Sequence, residues 1–124
     1  TLHCSSAASD VYKRQVRHLE PIFMGGLKNF EDLEFIGESR GIGLMGALEM
    51  VQDKKNKLPF DGSISIGERV ANKCIENGLI CRPLGPSIVL CPPFITSEEE
   101  MGIIFDTLEK TLKEVFSEVK SLGQ

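Results

Sequence analysis

Arg82 is the side chain with the most specific chemical possibility in this sequence. It lies in the apolar run 79–83 (LICRP) and is followed by Gly85-Pro86, a dipeptide typical of turns. An arginine in a predicted strand beside a turn can project from a sheet edge into a neighbouring cleft. Its guanidinium offers a planar fork of donors that matches a carboxylate. We therefore predict that Arg82 binds a substrate carboxylate; the alternative, which residue statistics favour, is an ordinary exposed hairpin arginine.

Gly41, Gly43 and Gly46 match the dinucleotide-binding pattern G-x-G-x-x-G. That motif requires a buried strand before the first glycine and a long helix that begins within the pattern. Here the polar residues 38–40 precede it, and only residues 47–51 follow before a charged run. We therefore expect a strand whose glycines allow a bulge or a close backbone approach, and not a phosphate site.

The other charged residues predict no reaction centre. Glu98, Glu99 and Glu100 are explained by a helix start, where negative charge stabilises the positive end of the helix dipole. His18 has no second ligand at metal-binding spacing. The lysines lack the apolar surroundings that lower an amine pKa for Schiff-base chemistry: Lys54, Lys55, Lys57, Lys110, Lys113 and Lys120. We predict no catalytic residue and no metal site in this chain.

The first fifteen residues require separate treatment. Residues 5–15, SSAASDVYKRQ, resemble the translation of a sequencing adapter, and residues 1–4 would be upstream bases read in the same frame. Scars of this kind are set aside in fold reasoning. We predict that residues 1–15 are non-native and disordered, that residues 16–124 form one domain, and that the natural protein begins upstream of Val16. The alternative is a genuine polar N-terminal arm.

Composition is that of an ordinary globular domain. The chain is 41% hydrophobic and 26% charged, and its net charge of −4 provides no electrostatic reason to expect nucleic acid or an anionic membrane. No apolar run approaches the roughly 18–20 residues of a spanning helix. With Cys4 set aside, Cys74, Cys81 and Cys91 show no C-x-x-C spacing. We expect buried, reduced thiols and a cytoplasmic protein.

Periodicity and turn residues predict three helices and several short strands. The predicted helices are 16–29, a helix opened by a Ser65–Glu68 capping box and closed at Gly78, and a long helix opened by a Thr96–Glu99 capping box. The predicted strands are 33–36, part of 40–51, 79–84 and 87–91. This order favours an α+β fold, a small antiparallel sheet with helices packed on one face.

Three blocks of the sequence resemble class III (omega-type) pyridoxal-phosphate-dependent aminotransferases. They are residues 37–51 (GESRGIGLMGALEMV), 78–85 (GLICRPLG) and 88–100 (IVLCPPFITSEEE), in the order in which that family carries them near its C-terminus. The resemblance implies the small domain of a homodimeric fold-type I enzyme. It also explains the dinucleotide-like glycines, because the family's corresponding block is a strand of the small domain.

The resemblance also implies a reaction. An amino group would pass from an amine or omega-amino acid to a 2-oxo acid such as pyruvate, with pyridoxal 5'-phosphate as the cofactor. The cofactor and its Schiff-base lysine would belong to a large domain outside this chain, which alone would be inactive. The small domain would close the active site, and Arg82 matches the family arginine that swings in to hold a carboxylate and out for an apolar amine.

Two departures from the family pattern refine these expectations. Val89 stands where ornithine-type members carry an arginine, which favours the amine or omega-amino-acid–pyruvate branch. Pro86 replaces a common aspartate after Gly85, which predicts a stiffer arginine loop. The alternative function is a free-standing α+β interaction or small-ligand regulatory module without catalysis.

Overall fold

Three helices and four strands make up the part of the chain that the structure describes. The computed structural model describes residues 2–93 and 96–122. The helices are α1 (Leu2–Asn29), α2 (Ile66–Glu76) and α3 (Glu98–Leu122), with short 3-10 helices at Phe30–Asp32 and Gly62–Ile64. The strands are β1 (Ile36–Ile42), β2 (Met45–Met50), β3 (Arg82–Leu84) and β4 (Ser87–Leu90).

The four strands form one antiparallel sheet in the order β1-β2-β4-β3. Leu48, Met50, Ile88 and Leu90 are buried on one face, where α1 packs on β2 and α2 packs on β4. Side chains of the strands on the opposite face are exposed or half-buried, except the small Ser87, which is buried. The prediction of an α+β fold with a small antiparallel sheet and helices on one face is confirmed.

The core forms where α1 and α3 face each other above the sheet. Apolar residues spaced three or four apart place Leu19, Phe23 and Leu27 of α1 on one buried stripe, as the helical period requires. Leu108 and Leu112 continue the same arrangement on α3. Helix α3 packs on both α1 and α2, and α1 packs on the sheet. The apolar area that stabilises the fold therefore lies between the helices and between them and the sheet.

Helix α1 starts earlier than the sequence predicts. The expected helix began at Val16 after a disordered segment, whereas the structure is helical from Leu2. Residues 2–15 contain neither glycine nor proline. They extend a helix already anchored by Leu19 and Phe23, so each added residue gains a backbone hydrogen bond without a new nucleation cost. The helix therefore extends beyond the start predicted for it at Val16.

The two predicted capping boxes both need correction. Ser65 has φ 50°, and its hydroxyl donates to the Gly62 carbonyl instead of accepting from α2. An N-cap side chain accepts from the helix only when its residue is extended, so this box cannot form. At α3 the box is shifted by one residue. The Glu100 N–H donates to the Ser97 hydroxyl at 3.1 Å, and the Ser97 N–H donates to the Glu100 carboxylate at 3.0 Å.

Replacing Glu100 with glutamine should reduce the loss of stability in acid. Hydrogen bonds from Ser97, first its backbone N–H, hold the pKa of the Glu100 carboxyl below its ordinary value of 4.5. Such a carboxyl contributes stability above its unfolded pKa and loses it as pH falls through the lower folded pKa. Urea unfolding at several pH values below 4.5 should show a shallower decline for Glu100→Gln than for the unsubstituted chain.

Glu99→Gln is the matched control, because Glu99 is an exposed neighbour outside this hydrogen-bonded pair. It should keep the acid profile of the unsubstituted chain. An equal flattening by both substitutions would show that general charge at the start of α3 causes the effect, and not the Ser97–Glu100 box.

The strands around the predicted arginine hairpin are shorter than the sequence suggests. Residues 79–81 do not join the sheet, because the Leu79 N–H donates to the Cys74 carbonyl at the end of α2 at 2.7 Å. Pro83 lacks an N–H and so weakens β3 further. At the other edge, β1 begins at Ile36, so the strand predicted over residues 33–36 is wrong; residues 30–32 form a 3-10 helix before it.

Candidate functional site

Arg82 lies at the start of β3, an edge strand of the sheet. A row of directly paired residues crosses the sheet from this position. In order along the row, they are Arg82 on β3, Val89 on β4, Ala47 on β2 and Arg40 on β1. Directly opposed residues of antiparallel strands point to the same side. We call this side, with Arg40, Ala47, Val89 and Arg82, the uncovered face, since within residues 2–93 and 96–122 no helix packs on it. Arg82 thus projects away from the helices, from the edge of the sheet.

The β3–β4 hairpin holds Arg82 in a defined position. Gly85 has φ +60°, which a residue with a side chain rarely adopts, and Gly85-Pro86 forms the predicted turn. The Met50 N–H donates to the Pro86 carbonyl at 3.0 Å, which joins the turn to the end of β2. The turn is therefore attached to a central strand of the sheet, which holds the backbone that carries Arg82.

The surroundings of Arg82 are apolar on the exposed side. Ile80 and Leu84, two residues away in each direction, are 85% and 67% exposed. Among the described residues, the side chain of Arg82 makes no hydrogen bond and no ion pair. Its guanidinium can therefore accept an anion from outside this part of the chain, between two aliphatic side chains.

Arg40, on the same face of the sheet, differs from Arg82 because it is paired with two carboxylates. Its Nη1 lies 2.8 Å from a carboxylate oxygen of Glu38 and 3.8 Å from one of Glu49. Both glutamates sit on neighbouring positions of β1 and β2, so they neutralise Arg40 within the sheet. The two arginines of this cross-strand row differ in this respect, and Arg82 is the one available for a ligand.

A cavity of about 400 Å³ lies between the arginine hairpin and the start of α2. Pro83, Gly85 and Pro86 form its wall on the hairpin side, and Phe60 and Glu68 are among the residues on the other. The arginine itself is not part of its lining. The cavity therefore borders the candidate site without including it.

The approach of α2 to this hairpin depends on Gly67. A Cβ atom on Gly67 would lie 2.3 Å from the Gly85 carbonyl oxygen, and that neighbour is backbone. We expect Gly67→Ala to move the turn away from α2 and to lower the free energy of unfolding by about 1–3 kcal/mol, as overpacking does. Urea unfolding followed by circular dichroism measures the change.

Gly102→Ala is the matched control for this prediction. Gly102 lies within α3, and a Cβ there would have nothing within 4 Å. Because alanine loses less backbone entropy than glycine in a helix, this variant should be more stable by roughly 0.5–1 kcal/mol. If Gly67→Ala were stabilising too, the close contact between α2 and the hairpin would be contradicted.

The G-x-G-x-x-G pattern has a structural role, as expected, but it spans the turn between β1 and β2 instead of lying in one strand. Gly43 has φ +59° at the turn. A Cβ on Gly41 would meet the Met45 carbonyl at 2.4 Å, and one on Gly46 would meet Leu27 of α1 at 2.2 Å. The glycines thus allow a tight turn and a close approach of α1 to the sheet. No helix starts within the pattern, which a dinucleotide site would need.

The remaining candidates have structural partners. His18 Nε2 lies 2.8 Å from a Glu98 carboxylate oxygen, and both side chains are exposed. Lys113 and Lys120 pair with Glu109 and Glu34 on the surface. Within residues 2–93 and 96–122, no cluster of histidine, cysteine and acidic residues could hold a metal ion. Cys74 and Cys81 are buried, whereas Cys91 is exposed just beyond β4, which corrects the expectation that all three are buried.

A family profile, individual sequences and solved structures that resemble this chain all belong to aminotransferases. The profile of the family described as Aminotransferase class-III matches residues 5–112, a range that begins within the adapter-like segment. An adenosylmethionine-8-amino-7-oxononanoate aminotransferase of Aquifex aeolicus is 35% identical over 95% of this chain and 28% of its own length. A chloroplastic gamma aminobutyrate transaminase 3 of Solanum lycopersicum is 35% identical over 87% of this chain and 21% of its own.

Solved structures share the fold at higher identity. The omega-transferase from Vibrio fluvialis JS17 superposes with a TM-score of 0.88 at 54% identity, over 90% of this chain and 27% of its own. An omega-aminotransferase from Paracoccus denitrificans gives 0.86 at 55% identity, over 89% of this chain and 24% of its own. One of the similar structures is a PLP-bound mutant of an aminotransferase from Vibrio fluvialis.

These matches cover most of this chain but only part of each relative. The chain spans about a quarter of the length of the relatives it matches. Among the described residues, no helix has the length and apolarity needed to cross a membrane. The family profile covers residues 5–112, and the Vibrio fluvialis structure superposes over 90% of the chain. This chain belongs to the class III aminotransferase family.

Proposed function

We propose that this chain is the small domain of a pyridoxal-phosphate-dependent transaminase that passes an amino group from an amine or omega-amino acid to a 2-oxo acid such as pyruvate. Arg82 binds the substrate carboxylate. The enzyme is a cytoplasmic homodimer whose cofactor and Schiff-base lysine belong to a large domain outside this chain. Residues 16–124 form the native part of the small domain.

The observation that carries this proposal is the state of Arg82. It is exposed on the uncovered face and makes no ion pair with the described residues, whereas Arg40 on the same face is paired twice. A buried or paired arginine would contribute to the fold alone. An arginine presented without a counterion fits a carboxylate that arrives from outside, and a guanidinium binds it through two parallel hydrogen bonds.

The flanking side chains fit the second substrate class. Ile80 and Leu84 leave aliphatic surface on both sides of the arginine. When the substrate has no carboxylate, the guanidinium moves into solvent and its apolar neighbours contact the substrate instead. One small domain then serves an amino acid or 2-oxo acid in one half-reaction and an apolar amine in the other.

The residues described here do not fit a cofactor site of their own. A Schiff-base lysine needs an apolar pocket that lowers its pKa. Lys73, the lysine nearest to such burial, pairs with the carboxylates of Glu114 and Glu118 on the helix surface. Pyridoxal phosphate supplies the electron sink when bound to the complete enzyme. The role of this chain is to bind and orient the substrate.

A chimaeric enzyme tests the proposal. Residues 16–124 would replace the equivalent C-terminal part of the Vibrio fluvialis omega-transferase, with which the chain shares 54% identity. We expect the chimaera to bind pyridoxal phosphate and to transfer an amino group from 1-phenylethylamine to pyruvate. The isolated chain should show neither cofactor absorbance nor transfer.

Two outcomes would contradict the proposal. Transamination by the isolated chain would show that it holds a complete site. A chimaera that folds and binds the cofactor but does not convert any amine or amino acid would show that this small domain does not support the reaction, and would favour an interaction or regulatory module.

A further inference from the structure

The cavity between the arginine hairpin and the start of α2 has the properties of a small-molecule site. Its volume of about 400 Å³ lies within the roughly 300–1,000 Å³ of ligand-binding pockets. Its walls are mainly apolar, and the residues that form them are Pro59, Phe60, Ile66, Pro83 and Pro86. The prolines are rigid, and Phe60 and Ile66 are buried. The walls are therefore in place before a ligand arrives, and binding requires little ordering of the protein.

Two carboxylates are the charged groups of this cavity. Asp61 and Glu68 belong to its lining, which contains no lysine, arginine or histidine. Neither carboxylate forms an ion pair with another described residue. The cavity therefore combines apolar walls with negative charge that no ion pair within residues 2–93 and 96–122 neutralises.

Asp61 presents a carboxylate oxygen to a ligand. The Ser63 N–H and the Ser63 hydroxyl both donate to Asp61 Oδ1, at 2.9 and 2.8 Å. These hydrogen bonds, first the one from the backbone N–H, hold the pKa of the Asp61 carboxyl below its ordinary value of 3.8. Asp61 is thus ionised at neutral pH, and its Oδ2 accepts no hydrogen bond from the part of the chain that the structure describes.

The start of α2 does not make this cavity a site for anions. The positive end of a helix dipole attracts negative charge, but here Glu68 already lies in the first turn. Ser65 directs its hydroxyl to the Gly62 carbonyl. Arg69, next to Glu68, donates its Nε to the Ile64 carbonyl at 2.7 Å and does not line the cavity. The charges of the cavity therefore favour a cation.

We propose that this cavity binds a small organic ammonium ion, a protonated primary amine attached to an apolar or aromatic group. The ammonium group donates hydrogen bonds to the carboxylates of Asp61 and Glu68, and hydrogen bonds between charged groups are the stronger ones. The apolar group contacts Phe60 and the prolines. Arg82 is not in the lining, so the proposal goes beyond the proposed transaminase reaction and does not depend on it.

A bound amine would also restrain the arginine hairpin. Pro83, Gly85 and Pro86 form one wall of the cavity, and the start of α2 lies on another side. A ligand that contacts both walls stabilises the arrangement in which the hairpin lies against α2. The hydrogen bond from the Met50 N–H to the Pro86 carbonyl, at 3.0 Å, reports on this arrangement because it attaches the turn to β2.

NMR titration of the isotope-labelled full chain with benzylamine tests the site. Benzylamine is protonated at neutral pH. It should shift the backbone amide signals of Phe60, Asp61, Gly62 and Gly85 in a saturable manner. Benzyl alcohol, which has the same shape but no charge, should bind roughly tenfold more weakly, since it lacks the charge-assisted hydrogen bonds.

Three results of the ligand series would overturn the proposal. Equal binding of benzyl alcohol and benzylamine would show that the carboxylates do not recognise the ammonium group. Tighter binding of benzoate than of benzylamine would identify an anion site at the start of α2. Signal shifts confined to other parts of the chain would show that the amine binds elsewhere.

Asp61→Asn combined with Glu68→Gln should weaken benzylamine binding by about tenfold. The asparagine oxygen can still accept the hydrogen bonds from Ser63, so the local fold is kept. The matched control is Asp106→Asn combined with Glu99→Gln, which removes the same charges from exposed positions on α3 outside the lining. Its Kd should stay within about twofold, because distant surface charges are screened by salt. Equal weakening in both double variants would overturn the proposal, and the ligand series decides it if the Asp61 variant does not fold.

Hydrogen exchange of the Met50 amide tests the restraint on the hairpin. A ligand that binds only while the hairpin lies against α2 should slow this exchange about tenfold at a concentration ten times its Kd. Benzyl alcohol at the same concentration should slow it less. An unchanged exchange rate at saturating benzylamine would overturn the connection to the hairpin, whereas the titration still decides the binding site.

Discussion

Arg82→Ala in the chimaeric enzyme should lower kcat/KM for pyruvate by roughly 10- to 150-fold. A hydrogen bond to a charged group contributes about 1.5–3 kcal/mol, and each 1.36 kcal/mol is tenfold in rate. The arginine carries no counterion among the described residues, so its removal leaves no buried partner unsatisfied. The lost activity should therefore reflect the lost contact to the substrate carboxylate.

The two half-reactions of a ping-pong transaminase provide the discriminating readout. kcat/KM for pyruvate reports the half-reaction with the carboxylate, and kcat/KM for 1-phenylethylamine reports the half-reaction with an amine that has none. We expect kcat/KM for 1-phenylethylamine to stay within about threefold of its value in the unsubstituted chimaera, because only the pyruvate half-reaction uses the guanidinium. Arg82→Lys should recover part of the loss, since it keeps the charge without the planar fork.

Arg40→Ala is the matched control for Arg82→Ala. It removes the same side chain from the same cross-strand row, but one held by Glu38 and Glu49. Both kcat/KM values should remain near those of the parent. An equal loss for both substrates after Arg82→Ala would indicate a positional or folding role for Arg82. An equal loss in Arg40→Ala and Arg82→Ala would indicate a general effect of positive charge on this face.

Phe23→Ala should be the most destabilising single change among those considered, at about 3–5 kcal/mol in the free energy of unfolding. Phe23 is fully buried, and its ring stacks on that of Phe105 with centroids 6.0 Å apart. Its ring atoms lie 3.0 Å from the point where a Cβ would stand on Gly46. Truncation therefore opens a cavity where α1, α3 and β2 meet, and glycine on the sheet side cannot fill it.

Urea unfolding of the chain, followed by circular dichroism, measures this effect. The control is Ile103→Ala on α3, since Ile103 is an apolar side chain that is 60% exposed. Exposed substitutions usually change stability by less than about 0.5 kcal/mol. A loss below about 1.5 kcal/mol for Phe23→Ala would contradict the packing of α1 on the sheet, because truncation of a fully buried phenylalanine costs more.

Local sequence patterns determined several features of this protein. The apolar stripe on α3 follows from helical spacing, and the Gly85-Pro86 turn follows from residues that only a turn accommodates. The class of fold follows from the order of these elements.

Other features depended on contacts between residues far apart in the chain. The capping box at Ser97–Glu100 rather than Thr96–Glu99 depends on where the chain leaves the sheet. The exposure of Cys91 depends on where β4 ends. The helical conformation of residues 2–15 depends on the anchoring of α1 by its contacts with α3 and the sheet.

In the candidate site, too, the local sequence determined some features and long-range contacts determined others. The sequence placed Arg82 in a short strand beside a turn, but it could not show which face the guanidinium would occupy. A shift of one residue in register reverses every side chain of a strand, and register is set by pairing across the sheet. Only the tertiary structure aligns Arg82 with Arg40, supplies Glu38 and Glu49 to one arginine and not the other, and keeps the helices on the opposite face.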